Sequence, residues 1–161
     1  MNEAALVIAI GIAMTVGSAK AEVPREITYG SRAGMGVTVT SARGIDTSSS
    51  MIVARLTEGN ARDFCTKYVG DPSKTCVEKT IRESRLNPYI AADCPKGSFS
   101  TFYGGKYQFV GKHRKLSDEP FNMVQFDIVD LSTNVVLDGS GASGYSYVLE
   151  QFKALCPTKA E

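Results

Sequence analysis

Polar and apolar positions change their spacing three times along the chain. From Gly36 to Arg43, Val37 and Val39 alternate with Thr38 and Thr40, the period of two expected of a half-buried strand. Gly44 to Ser48 is turn chemistry. Ser50 to Leu56 then reads as the partner strand of a first hairpin. Between Thr57 and Val69 the period becomes helical, with Ala61, Phe64, Cys65 and Tyr68 on one face. Thr57 can cap the start of that helix and Gly70 its end. Beyond Asp71-Pro72-Ser73, the run Thr75-Cys76-Val77-Glu78 has the pattern of a capping box. It predicts a second short helix that turns Val77 and Ile81 inward and stops at Asn87-Pro88.

Alternation returns at Tyr89. Tyr89 to Cys94 reads as a strand, and Ser98 to Tyr103 and Lys106 to Gly111 as a hairpin around Gly104-Gly105. Phe121 to Asp130 and Val135 to Asp138 flank a Leu-Ser-Thr-Asn turn that Asp130 starts. Finally Tyr145, Val148, Leu149, Phe152, Leu155 and Cys156 trace an apolar helical stripe ended by Pro157. Residues 22–35 read as a loose arm. Runs of strands set apart from helices predict an α+β fold: an antiparallel sheet of hairpins, two short helices after the first hairpin, and one C-terminal helix.

The first residues stand outside this pattern. Ala4 to Gly17 is small or apolar, too short to span a bilayer, and Ala19-Lys20-Ala21 matches a small-x-small cleavage site. Residues 1–21 are therefore expected to be a signal peptide, although Met-Asn-Glu lacks the usual basic residues. Cleavage would leave one domain, 22–161, in the periplasm or outside the cell, with no membrane span.

Export changes the reading of the cysteines. An even count of four, in an oxidising compartment, implies disulfides. Three pairings are possible. Cys65–Cys76 with Cys94–Cys156 is favoured, because the first pair clips two helices across a turn and the second ties the last helix to the sheet. Zinc is not expected, since there is one His and no close Cys pair. The net charge of +1 gives no electrostatic footprint for nucleic acid.

Three stretches carry candidate chemistry. Gly139-Ser140-Gly141-Ala142-Ser143-Gly144 spells G-x-G-x-x-G, but too little chain follows for the βαβ unit of a dinucleotide site. Nor is it a nucleophile elbow, because Tyr145 stands where the final Gly is needed. It reads as a loop in which Ser143 or Ser146 caps the last helix. It could also serve as a binding loop, with Ser140, Ser143 and Tyr145 offered to an anion or a sugar. Lys112-His113-Arg114-Lys115 is a basic run suited to acidic glycan or phosphate, with no partner marked for His113. Asp127, Asp130 and Asp138 are the carboxylates a small hydrolase would use, although Asp127 and Asp130 fall on opposite faces of a regular strand.

The stretches FYGGKYQFVG, FDIVDLSTNVVLDGSGASGY and FKALCP resemble small exported proteins of unknown function from alphaproteobacteria. Separately, Ser140-Gly141-Ala142-Ser143-Gly144-Tyr145 resembles the Ser/Gly/Ala-rich loop of periplasmic C-type lysozyme inhibitors, which are β-barrels. That resemblance implies inhibition of a cell-wall hydrolase through residues 139–147. The expectation from the residues themselves is a non-catalytic binding protein that needs no cofactor, with an envelope glycan or a cell-wall hydrolase as its partner.

Overall fold

The computed structural model describes residues 22–114 and 124–161. The expected signal peptide, Lys115 of the basic run with the polar residues up to 120, and the first residues, 121–123, of the expected Phe121–Asp130 strand lie outside them. Eight strands form one antiparallel sheet in which each strand pairs with the next in sequence. They are β1 (Glu26–Thr28), β2 (Gly36–Arg43), β3 (Ser50–Arg55), β4 (Tyr89–Asp93), β5 (Ser98–Ser100), β6 (Lys106–Lys112), β7 (Phe126–Asp130) and β8 (Val135–Val136). Between β3 and β4 lie α1 (Glu58–Phe64), a π-helical turn (Cys65–Val69) and α2 (Lys74–Glu83); α3 (Tyr145–Leu155) follows the sheet, and a short 3-10 helix (Pro157–Ala160) comes after it. The α+β expectation holds at this level.

Strand alternation sorts the side chains. Ile27, Val37, Ile52, Ile90, Phe99, Phe109, Phe126 and Ile128 turn to the inner face and are buried. There they meet the stripe of α3, which fills the core. Phe152 is fully buried, its ring 4.3 Å from Phe109 and 4.8 Å from Phe99. Gln151 is buried beside it. Its Oε1 accepts the Phe102 N–H at 3.1 Å and its Nε2 donates to the Thr28 carbonyl at 3.0 Å, so one amide ties α3 to β1 and to the β5–β6 turn. Cys94–Cys156 closes the far end of α3 onto β4. Ser50 Oγ donates to the Leu155 carbonyl at 2.8 Å nearby.

The helical hairpin has a small core of its own, Ala61, Cys65 and Val77, closed by the Cys65–Cys76 disulfide. Both bridges are those favoured from the sequence. Several local expectations need correction. The arm contains β1, held by its pairing with β2 at Ile27 and Val37. The α-helix begun by Thr57, whose hydroxyl accepts the Asn60 N–H, ends at Phe64. The wider π turn that follows rotates Tyr68 off the buried face, leaving it 49% exposed. The second helix starts at Ser73, not at Thr75. Ser73 is extended and its hydroxyl accepts the Cys76 N–H, while Glu78 pairs with Lys74 instead. Ile81 is 41% exposed, on the rim of a shallow pocket shared with Val37, Ala54 and Leu86, because α2 packs mainly on α1. The Gly104-Gly105 turn is part of a longer connection in which Thr101 N–H bonds to the Gly105 carbonyl, with Gly104 at φ +82°.

Candidate binding groove

The outer face of the sheet carries a groove of about 610 Å³. Its floor follows from register. Arg43 pairs with Met51, Met51 with Ala91, and Ser100 with Lys106. The Ala91 N–H reaches Ser100 Oγ at 3.3 Å, and the Leu131 N–H bonds to the Lys106 carbonyl at 2.9 Å. One row therefore crosses the strands as Arg43, Met51, Ala91, Ser100, Lys106 and Leu131. A parallel row holds Asp93, Ser98 and Gln108. In the middle of both rows the side chains are small, and at the ends they are long. The depression comes from that difference in size, since side chains alternate faces and none from the core can fill it.

Charge is asymmetric here. Among the described residues neither Arg43 nor Lys106 forms an ion pair with a carboxylate. Arg43 Nη2 rests 3.3 Å from Met51 Sδ. Asp93, the lining carboxylate, is paired with Lys96 at 2.9 Å. Hydrogen bonds from Lys96, side chain first and backbone second, hold the Asp93 carboxyl below its ordinary range. Two strand-borne cations therefore stand four strand spacings apart, about 19 Å, over a floor of hydroxyls, methyl groups and exposed backbone.

The residues singled out in the sequence lie elsewhere. Lys112 and Arg114 are exposed at the far end of β6 from Lys106, about 20 Å along the strand. His113 does have a partner: its Nδ1 is 2.6 Å from Asp127 Oδ1, with the imidazole 19% exposed. Ser140 and Ser143 bond mainly within their own loop. The Ser140 N–H donates to Asp138 Oδ1, the Ser143 N–H to Ser140 Oγ, and the Ser143 hydroxyl to the Ser140 carbonyl. Gly144, not a serine, occupies the N-cap of α3; Ser143 Oγ lies 3.4 Å from the Tyr145 N–H. Tyr145 is not a surface ring for a ligand. It is 4% exposed, and its hydroxyl accepts the Gln125 and Phe126 N–H groups at 3.0 and 2.9 Å. The Gln125 carbonyl in turn accepts the His113 N–H. Tyr145, which follows the loop, and His113, in the basic run, thus both bond to the backbone of Gln125.

The three carboxylates do not form a working pair. Asp127 faces His113, while Asp130 Oδ1 accepts the Ser132 N–H and hydroxyl at 2.7 Å each, starting the turn as the sequence implies. Asp138 serves the glycine loop. Bonds from Ser132 and Ser140 hold Asp130 and Asp138 below the usual carboxylate range.

None of the groove residues was identified from the sequence. They come from separate strands, and only the register joins them. The signal in the chain was weak: small or polar residues at alternate positions of Tyr89–Asp93 and Ser98–Ser100. Comparison of the chain with protein-family models, with curated proteins and with solved structures found no match.

Proposed function

We propose that this chain is an exported binding protein that holds an anionic envelope glycan in the groove across β3 to β6. One observation carries the reading. Arg43 and Lys106, both without carboxylate partners among the described residues, stand at opposite ends of an open floor rich in Ser hydroxyls. A charged glycan offers acid groups to the two cations, hydroxyls to Ser49, Ser98 and Ser100, and C–H faces to Met51, Ala91 and Leu131. Such a polymer matches an elongated, shallow site better than a compact molecule does. The two disulfides agree with an oxidising compartment. No described helix is long and apolar enough to cross a membrane.

Selective carbon-13 labelling of methionine methyl groups tests this, because Met51 lines the groove. Titration with a galacturonate hexasaccharide is expected to shift the Met51 methyl in a saturable way. Arg43→Glu with Lys106→Glu is expected to weaken binding by about 100-fold or more, the scale of removing two charge-assisted hydrogen bonds. An unmoved Met51 signal, or unchanged affinity in the double variant, rejects the proposal.

A further inference from the structure

A second concavity, about 500 Å³, lies beneath the helical hairpin. It forms where α2 packs mainly on α1 and the π turn, through Ala61, Cys65 and Val77. The space is walled by Tyr29, Met35, Phe64, Val69, Leu86 and Tyr103, so most of its surface is apolar. Its size falls within the range of small-molecule sites, about 300–1,000 Å³.

The charge around it is positive. Arg32, Lys79 and Arg85 line the cleft, and none of them forms an ion pair with a carboxylate among the described residues. Glu83, the acidic group present, lies 3.8 Å from Arg82. Arg32 sits with its guanidinium carbon 4.7 Å from the centre of the Tyr68 ring. Arg32 is itself exposed at the edge of the cleft. Tyr103 stands half exposed across the cleft and packs edge-on against buried Tyr29, with centroids 5.7 Å apart. Burial, with Tyr103 alongside, pushes Tyr29 up to about 12, and burial raises Tyr103 too. Both phenols are therefore neutral at ordinary pH.

We propose that this cleft is a second binding site, separate from the groove, for a small organic anion with an aromatic body. The ring packs among Tyr103, Phe64 and Val69, and the acid group meets Arg32 and Lys79. An apolar interior selects the flat body, and unpaired cations at the mouth select its charge. The proposal does not depend on the glycan reading, because no lining residue is shared between the two sites.

The same methionine labels separate them. Met35 lines the cleft and Met51 the groove. Naphthalene sulfonate is the probe. It is expected to shift the Met35 methyl in a saturable way and to leave Met51 in place. Arg32→Glu should weaken binding by about tenfold or more, the scale of one charge-assisted hydrogen bond. Val69→Trp, at an exposed position, should block the cleft without altering any charge. Methyl dispersion like that of the wild type and two intact disulfides verify the fold of each variant. Absence of saturable Met35 shifts, movement of Met51 instead, or wild-type affinity in both variants overturns the proposal. A galacturonate effect on Met51 is unaffected by any of these results.

Discussion

Replacing Gln151 with Met tests how the last helix is held in the sheet. Gln151 is fully buried, and its amide makes two bonds to backbone on either side, one to the Phe102 N–H and one to the Thr28 carbonyl. Methionine keeps the length and removes both hydrogen bonds, leaving the Phe102 N–H and the Thr28 carbonyl in place. A buried N–H left without an acceptor costs about 1–3 kcal/mol, and loss of the second bond about 0.5–1.5 kcal/mol. Apolar burial of the thioether offsets about 1 kcal/mol. The net expected loss is about 0.5–3.5 kcal/mol, a sizeable part of a typical total of about 5–15 kcal/mol. Urea unfolding should show a lower midpoint at an unchanged slope. Gln151→Glu adds a sign test. As a neutral acid, Glu accepts from Phe102 with one oxygen and donates to Thr28 with the other. Its folded-state pKa is therefore raised. The deficit relative to wild type should be smallest below about pH 4.3, the unfolded value, and should grow as pH rises through the folded pKa. A Met variant within about 0.5 kcal/mol of wild type, or a Glu deficit that is flat with pH, would refute the reasoning.

Three further outcomes follow from the same core. Tyr145→Phe strips the acceptor from the Gln125 and Phe126 N–H groups and should cost about 1–3 kcal/mol by urea unfolding; no measurable loss would mean that water replaces the hydroxyl. Removing Cys94–Cys156, which spans 62 residues, should cost more than removing Cys65–Cys76, which spans 11, about 4.3 against 2.8 kcal/mol on loop-closure entropy. Equal losses in paired Cys→Ala variants would count against that account. In an alkaline absorbance titration one tyrosine should ionise near pH 12, and Tyr29→Phe should delete that step. Because the fold favours the neutral phenol, its contribution to stability is complete below about pH 10 and declines as pH rises toward 12.

What the sequence made legible was short-range. The α3 stripe, the Thr57 cap and the nearby cysteine pair each depend on residues a few turns apart, where local sterics and hydrogen bonds decide. Tyr145 was legible too, as the first residue of the buried stripe; reading it also as a ligand ring set one role against the other, and burial decided. What was hidden depends on pairing. β1 has three residues and no pattern of its own, so only β2 makes it a strand. The groove needs Met51, Ala91, Ser100 and Lys106 to fall in one row, and a one-residue slip would turn each of them to the other face. His113 and Asp127 are joined by the β6–β7 register, which a bulge between Phe109 and Gly111 shifts.

The serial order of the sheet has a consequence for how the chain matures. Each strand finds its partner in the segment just made, so a chain emerging N-terminus first can assemble its ladder progressively, with little long-range searching. The helical hairpin and its disulfide are complete within that early part. The inner face is different: Phe99, Phe109 and Ile128 have no cover until α3 arrives, and Cys94 has no partner until Cys156 does. Maturation therefore has a late checkpoint. Until the final turn of α3 is delivered, the molecule is a paired sheet with an open apolar side and one unspent thiol, the state most exposed to aggregation and to mispaired cysteines.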